Sequence, residues 1–200
     1  LKILSGPGAV AATLDAMHRL VSCQHGTRKV VRYEYNGKVT VLADKFDGKE
    51  LNAPNDAVVH PNDGSIWFTD PSFGILGWYE GDKAEAELPT NVYRLEPSGK
   101  ATVVAEGINA PNGLAFSPDE KKLYVVEWKG TPNRSIWSFD VADDGTLGGK
   151  KKLIDAADYG ALDGFRVDRD GNLWVGYGSN GALQDHASDV NGRTVFQLKG

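Results

Sequence analysis

Residues 53–68 read APNDAVVHPNDGSIWF, and two short apolar runs, AVVH and SIWF, flank an Asn-Asp-Gly triplet at 62–64. Both runs contain β-branched or aromatic residues, which favour strands, while Asn, Asp and Gly tolerate the positive φ angles of tight turns. The stretch therefore predicts a β-hairpin. The earlier Pro-Asn-Asp triplet at 54–56 has no comparable local role, and it recurs in altered form further along the chain.

The hairpin pattern recurs at a regular spacing. The copies are NDAVVHPNDGSIWFTD from Asn55, NGLAFSPDEKKLYVVE from Asn112 and DGFRVDRDGNLWVGY from Asp163, with a fainter copy, AATLDAMHRLVSC, at 11–23. The three anchor residues are 57 and 51 residues apart. Each copy places a polar residue before a strand pattern, a polar turn and a second strand that carries an aromatic residue.

In chain order, a second hairpin pattern follows the copy at 11–23, the copy from Asn55 and the copy from Asn112. These patterns are RKVVRYEYNGKVTVLADKF from Arg28, NVYRLEPSGKATVVAEGI from Asn91 and RSIWSFDVADDGTLGGKKKLI from Arg134, and RTVFQLKG from Arg193 resembles the start of a fourth. Four strands in a repeat of about 50 residues predict a β-propeller blade. We therefore expect an all-β fold in one domain, residues 1–200. It would hold three full repeats with a partial one at each end, as a fragment of a longer propeller.

Three further predictions concern the aromatic residues of the hairpins, a segment between two hairpins and one turn. Blades bury their faces against one another, so the aromatic residues of the second strands, Trp67, Tyr124 and Trp174, are predicted to be core. The segment GILGWYEGDKAEAELPT at 74–90 is polar and acidic and lacks strand alternation, which predicts a surface loop between hairpins. The run at 168–172, DRDGN, is predicted to be a hairpin turn, because it lacks the roughly 12-residue frame of a calcium loop.

Composition excludes several classes of partner. The net charge is −5 and the densest basic run is Lys150–Lys152, which argues against nucleic acid and anionic membranes. No apolar stretch approaches the roughly 18 residues of a membrane span. Cys23 is the one cysteine in the chain, so an internal disulfide is excluded. Composition leaves the compartment, cytoplasmic or periplasmic, and the oligomeric state open.

Polar residues at equivalent places in three blades would point to a common axis. On this basis Asn55, Asn112 and Asp163 would bring two amide oxygens and a carboxylate to one spot. Such hard oxygen donors suit Ca²⁺ or Mg²⁺, with water completing the coordination. From spacing alone, a turn-capping role for these residues is equally open.

The segments PNDAVVHPNDGSIWFTDPSFGI, APNGLAFSPDEKKLYVVEW and LDGFRVDRDGNLWVGYGSNG resemble the gluconolactonase branch of the SMP-30/gluconolactonase/LRE-like (regucalcin) family. The resemblance runs from about residue 19 to residue 181. It implies a six-bladed propeller with one divalent cation in its channel and hydrolysis of a lactone ring. It further implies that Asn112 and Asp163 are metal ligands, that Asn55 faces both metal and substrate, and that Asp56 contacts substrate.

The expected reaction opens a sugar lactone. The cation, Ca²⁺ by preference with Mg²⁺ or Zn²⁺ as alternatives, would polarise the lactone carbonyl, and Asp163 would act as the general base that activates water. His25 follows a predicted inner strand and is a candidate for shaping the substrate site. His18, His60 and His186 show no zinc-like spacing. Glu127 and Asp70, which end second strands, are weaker candidates than the three anchors.

The sequence departs from the family pattern in two places. The family takes a metal-binding Glu from an E-G-P or E-S-P motif in its first strand, and neither motif occurs here. After Gly181 the closing blades are missing or divergent. Two other functions remain open: a strictosidine synthase-like or paraoxonase-like propeller enzyme, and a propeller that only binds a partner protein.

Overall fold

A computed structural model describes residues 8–130, 134–156 and 161–178. His186 and the predicted hairpin start at Arg193 lie outside these residues. The described residues form antiparallel β-sheets connected by turns, together with one short 3₁₀ turn, Phe73–Ile75. None of the helical structure in these residues has the length and apolar character to cross a membrane.

The first sheet has four strands in sequence order. They are β1 (Ala9–Leu14), β2 (Leu20–Gln24), β3 (Lys29–Tyr33) and β4 (Val39–Ala43), followed by a short ribbon of β5 (Lys45–Phe46) and β6 (Lys49–Glu50).

The second sheet contains most of the stretch APNDAVVHPNDGSIWF at 53–68. Its strands are β7 (Ala57–Val59), β8 (Ile66–Asp70), β9 (Asn91–Leu95) and β10 (Ala101–Ala105). The predicted hairpin at 53–68 is confirmed, because β7 and β8 pair antiparallel. In the turn, Asp63 Oδ1 accepts hydrogen bonds from the backbone N–H and the hydroxyl of Ser65, at 2.8 and 2.6 Å.

The third sheet is again a four-stranded meander, and a two-stranded sheet follows it. The strands of the third sheet are β11 (Pro111–Phe116), β12 (Lys122–Glu127), β13 (Ser135–Val141) and β14 (Leu147–Asp155), and those of the last are β15 (Ala161–Val167) and β16 (Leu173–Gly178). The predicted turn at 168–172 is confirmed, since it connects β15 to β16 and Asp168 N–H donates to the Asn172 carbonyl at 3.0 Å.

Three up-and-down sheets of four antiparallel strands confirm the all-β class and the predicted number of strands per repeat. Such sheets are the units from which β-propellers are built. The chain divides between residues 111 and 112 into two compact units, and each unit has its own core.

The core of the first unit is built where β2, β8 and β9 bury residues on both faces. Phe68 and Tyr93 are fully buried and their rings stack, with centroids 5.2 Å apart. Trp67 is also buried, as predicted, and its indole N–H donates to the Ser65 hydroxyl at 2.9 Å. A central strand covered on both sides explains why adjacent residues of β8 are all buried.

The prediction that Trp174 is core is wrong. Leu173 and Val175 are buried in the core of the second unit, and because side chains alternate along a strand, Trp174 points to the opposite face. Its side chain is 44% exposed, and its indole N–H donates to Asp168 Oδ2 at 2.8 Å. Tyr124 is partly buried against the same core.

Burial of Cys23 predicts a thiol that does not react in the folded protein. Burial raises the pKa of Cys23 well above its ordinary value, and the carboxylates of Asp56 and Asp70 raise it further. We expect Ellman's reagent to label no thiol in the native protein and one thiol per chain in denaturant, because the thiolate is the reactive form. Native labelling at the rate of the denatured chain would contradict this burial.

Candidate functional site

The three anchor residues occupy similar places in their sheets. Asn55 lies just before β7, Asn112 is the second residue of β11, and Asp163 is the third residue of β15. Each of these strands is the first of its sheet in sequence. Asn55 belongs to the first compact unit and the other two belong to the second, so their convergence on one cation stays a prediction.

In the first unit, the structure brings His25 against Asn55. His25 directly follows β2, and its side chain is 1% exposed. Its Nε2 lies 3.4 Å from the side-chain Nδ2 of Asn55, and its Nδ1 lies 3.0 Å from a carboxylate oxygen of Glu80. Burial lowers the pKa of His25 below its ordinary value, and Glu80 opposes that shift. The imidazole therefore bridges an acid and the candidate ligand.

Glu80 is a residue that sequence reasoning missed. It lies in the segment predicted to be a surface loop, 74–90, which contains no strand and is mostly exposed, although Gly74 and Ile75 at its start are buried. A Cβ atom at Gly74 would lie 2.5 Å from the Cβ of His25, so only glycine permits this approach. The available signal was the length of the interruption, since long loops in compact domains are commonly functional.

The Asn55-Asp56 segment is fixed to the end of β8. Asn55 N–H donates to the Thr69 carbonyl at 2.9 Å, and Thr69 N–H donates to the Asp56 carbonyl at 3.0 Å. Asp56 N–H donates to the Thr69 hydroxyl at 3.1 Å. The Asp56 carboxylate is buried beside Asn55, where its Oδ1 accepts from Ala57 N–H at 2.9 Å.

Asp70 holds the segment that leads to Asn55. Its buried carboxylate accepts hydrogen bonds from the backbone N–H groups of Asn52 and Ala53, each at 2.8 Å. Burial raises the pKa of Asp70 to about 7, while these two donors act in the opposite direction. The other weaker candidate, Glu127, accepts a hydrogen bond from the Trp137 indole at 2.8 Å.

The pKa of Asp70 gives a pH dependence with a defined sign. A carboxyl with a folded-state pKa raised from 3.8 to about 7 stabilises the fold below about pH 4, and this contribution is lost as pH rises through about 7. The free-energy difference amounts to about 4 kcal/mol. In urea denaturation from pH 4 to 8, wild type should lose stability relative to Asp70→Asn, whose amide does not titrate. The prediction is contradicted if the difference in unfolding free energy between wild type and Asp70→Asn stays constant or shifts in favour of wild type as pH rises. In that case the two N–H donors offset the effect of burial on the pKa of Asp70.

In the second unit, the backbones around Asn112 and Asp163 approach closely. A Cβ atom on Gly113 would lie 2.5 Å from the Asp163 carbonyl oxygen and 2.8 Å from the Gly164 Cα. Asn112 is buried, whereas the Asp163 side chain is exposed and its Oδ1 accepts from Gly164 N–H at 2.9 Å. Glycine at 113 therefore sets the spacing between β11 and β15 at these two candidates.

A methyl group at position 113 should push the two strands apart. We expect Gly113→Ala to lower the free energy of unfolding by about 2 kcal/mol, because the added atom meets backbone that cannot rotate away. Gly164→Ala is the matched control, since a Cβ there meets nothing within 4 Å. Thermal denaturation of both variants checks the expectation, and equal stabilities would contradict the close approach.

The donor set fits an oxygen-preferring cation. The candidate ligands are two amide oxygens and one carboxylate, which suit Ca²⁺ and Mg²⁺. Among residues 8–130, 134–156 and 161–178, no three His, Cys, Asp or Glu side chains come together as a metal-binding group. The candidate ligands are two asparagines and one aspartate, so they are not a group of that type. The role of Asn55, Asn112 and Asp163 as ligands stays a prediction.

Comparison with known proteins identifies the family. The sequence profile of the SMP-30/gluconolactonase/LRE-like region matches residues 2–199, and the chain belongs to this family. A gluconolactonase from Zymomonas mobilis is 32% identical over 178 residues, which cover 84% of this chain and 49% of that protein.

Two solved structures share the fold. A gluconolactonase from Xanthomonas campestris superposes with a TM-score of 0.77 at 42% identity, covering 84% of this chain and 55% of that one. A calcium-binding regucalcin from Agrobacterium tumefaciens superposes with a TM-score of 0.64 at 22% identity, covering 84% and 53%, and this likeness supports the fold alone. The chain thus spans about half the length of these relatives.

Proposed function

We propose that this protein hydrolyses a sugar lactone such as a gluconolactone, with the site of a six-bladed propeller that holds one divalent cation. The observation that carries the proposal is the chain's similarity to gluconolactonases over 84% of its length. The like placement of Asn55, Asn112 and Asp163, in or just before the beginning of the first strand of three sheets, supports it.

Asn55, Asn112 and Asp163 would hold the cation, with Ca²⁺ the best match to their oxygen donors and Mg²⁺ an alternative. Zn²⁺ is less suited, because it prefers nitrogen and sulfur ligands. When bound, such a cation makes a lactone carbonyl more electrophilic.

Asp163 would be the general base. Its exposed carboxylate is oriented through the hydrogen bond that Oδ1 accepts from Gly164 N–H. As water adds to the carbonyl carbon, Asp163 takes the proton of that water. The bond between the carbonyl carbon and the ring oxygen then breaks, and the ring oxygen takes up the proton held by Asp163, which gives the hydroxy acid and restores the carboxylate. Such a base contributes about 10²- to 10⁴-fold to the rate.

Asn55, Asp56 and His25 would form the substrate side of the site. Asn55 carries an amide oxygen that can accept a hydrogen bond from a hydroxyl of the lactone, and Thr69 fixes its backbone. Asp56 is buried beside Asn55. Its carboxylate would contact the substrate, and its hydrogen bond with Ala57 N–H would help to hold the backbone next to Asn55. His25 would shape the wall next to Asn55.

Asp163→Asn tests the proposed base. Acid release from D-glucono-1,5-lactone in the presence of Ca²⁺ should fall by about 10²-fold or more, because the amide cannot accept the proton. Asp170→Asn is the matched control, since Asp170 is exposed in the turn between the same two strands, and its rate should equal that of wild type. Near wild-type turnover in Asp163→Asn would remove the role.

Ca²⁺ should also raise the melting temperature of wild type and should do so less in Asp163→Asn. A wild-type protein that responds neither to Ca²⁺ nor to lactone would instead support a propeller that binds a partner protein. Turnover of other substrates without lactone hydrolysis would support the strictosidine synthase-like or paraoxonase-like alternative.

A further inference from the structure

We propose that Glu80 and His25 act as positioning residues that fix the side-chain amide of Asn55, so that its Oδ1 faces away from His25 and remains available as a ligand. What Oδ1 then contacts, a cation or a lactone, rests on the proposed function. The chain of contacts itself rests on the distances between these three side chains.

The direction of the chain follows from which groups can donate. The Glu80 carboxylate only accepts hydrogen bonds and lies 3.0 Å from His25 Nδ1, so it favours the hydrogen on Nδ1, although the two groups are not aligned as a hydrogen bond. The other nitrogen of a neutral imidazole, Nε2, is then an acceptor. It faces the Asn55 amide nitrogen at 3.4 Å, which donates to it. The amide oxygen of Asn55 is consequently directed to the other side.

The opposite tautomer would place two donors against each other. With the hydrogen on Nε2, the imidazole N–H would face the Asn55 NH₂ group, and Nδ1 would face the carboxylate with a lone pair. Buried polar groups without a partner destabilise the folded protein. To remove this clash between two donors, the Asn55 amide group would have to rotate by half a turn. Its Oδ1 would then face His25 and would no longer be available as a ligand.

The ring of His25 has little freedom to avoid this arrangement. Its backbone N–H donates to the Gly8 carbonyl at 2.8 Å, and Gly74 packs against its Cβ and Cγ. The segment that carries Glu80 is itself closed, because Ala84 N–H donates to the Ile75 carbonyl at 3.1 Å. The Glu80 side chain remains 40% exposed, so it can be replaced without opening the core.

The test compares Glu80→Gln with Glu85→Gln, an exposed glutamate of the same segment that serves as control. Heteronuclear NMR at neutral pH reads the tautomer of His25, whose signals are assigned by their loss in His25→Gln. It also reads the side-chain NH₂ signals of Asn55. We expect the Nδ1–H tautomer in wild type and in Glu85→Gln. In Glu80→Gln we expect this preference to be reduced and the Asn55 signals to shift, because glutamine can donate as well as accept.

Two measurements show whether the change at Glu80 affects the site. Calorimetric titration gives the Ca²⁺ affinity, and the kinetics of lactone hydrolysis give kcat/KM. Supporting groups of this kind typically contribute about 10- to 100-fold, so Glu80→Gln should lose about that much in Ca²⁺ affinity or in kcat/KM, while Glu85→Gln should match wild type. A purely structural role for Glu80 would lower the melting temperature without changing the tautomer.

Two results would overturn the proposal: an Nε2–H tautomer in wild type, or a His25 tautomer and Asn55 signals that are the same in Glu80→Gln as in wild type. A shifted tautomer with wild-type Ca²⁺ affinity and kinetics would also overturn the positioning role. If wild type hydrolyses no lactone, the proposed function fails, and the NMR comparison still decides whether Glu80 and His25 orient Asn55.

Discussion

The segment that carries Asn55 is held by hydrogen bonds from the last two residues of β8. Thr69 binds the backbone of Asn55 and Asp56, and the Asp70 carboxylate binds two N–H groups further back, at Asn52 and Ala53. The segment before the short strand β7 makes few of the backbone hydrogen bonds that pair neighbouring strands. The hydrogen bonds with Thr69 and Asp70 hold this segment instead. The position of the Asn55 side chain therefore depends on a buried strand whose residues are all inaccessible to solvent.

The same contacts have an energetic cost. Asp70 is fully buried, and removal of its carboxylate from water opposes ionisation more than two N–H donors favour it. A neutral, apolar residue at position 70 would avoid this cost, but it would leave the N–H groups of Asn52 and Ala53 without their acceptor. A polar group retained in a core at such a cost is consistent with a role in fixing the geometry of the neighbouring site.

The candidate site is thus supported on two sides in the first unit. β8 fixes the backbone of Asn55 through Thr69, while His25 contacts the Asn55 side chain and is itself contacted by Glu80. In the second unit, a close approach of backbones at Gly113 sets the spacing next to Asn112 and Asp163. In both units, contacts with backbone atoms position the strands. Backbone atoms move less than the ends of long side chains, so these contacts hold the strand positions closely.

Local patterns in the sequence determined the all-β class, the four strands of each repeat and the strand positions of Asn55, Asn112 and Asp163, because alternation and turn residues act over a few neighbouring positions. Alternation along the strand also predicts that Trp174 faces away from the core, since Leu173 and Val175 flank it, and the burial of blade faces does not reach every aromatic residue of a second strand. Only the tertiary structure decided that Glu80 meets His25 and that Asp70 binds the segment before Asn55. These contacts join residues far apart in the chain, and no local spacing encodes which distant polar groups are buried together.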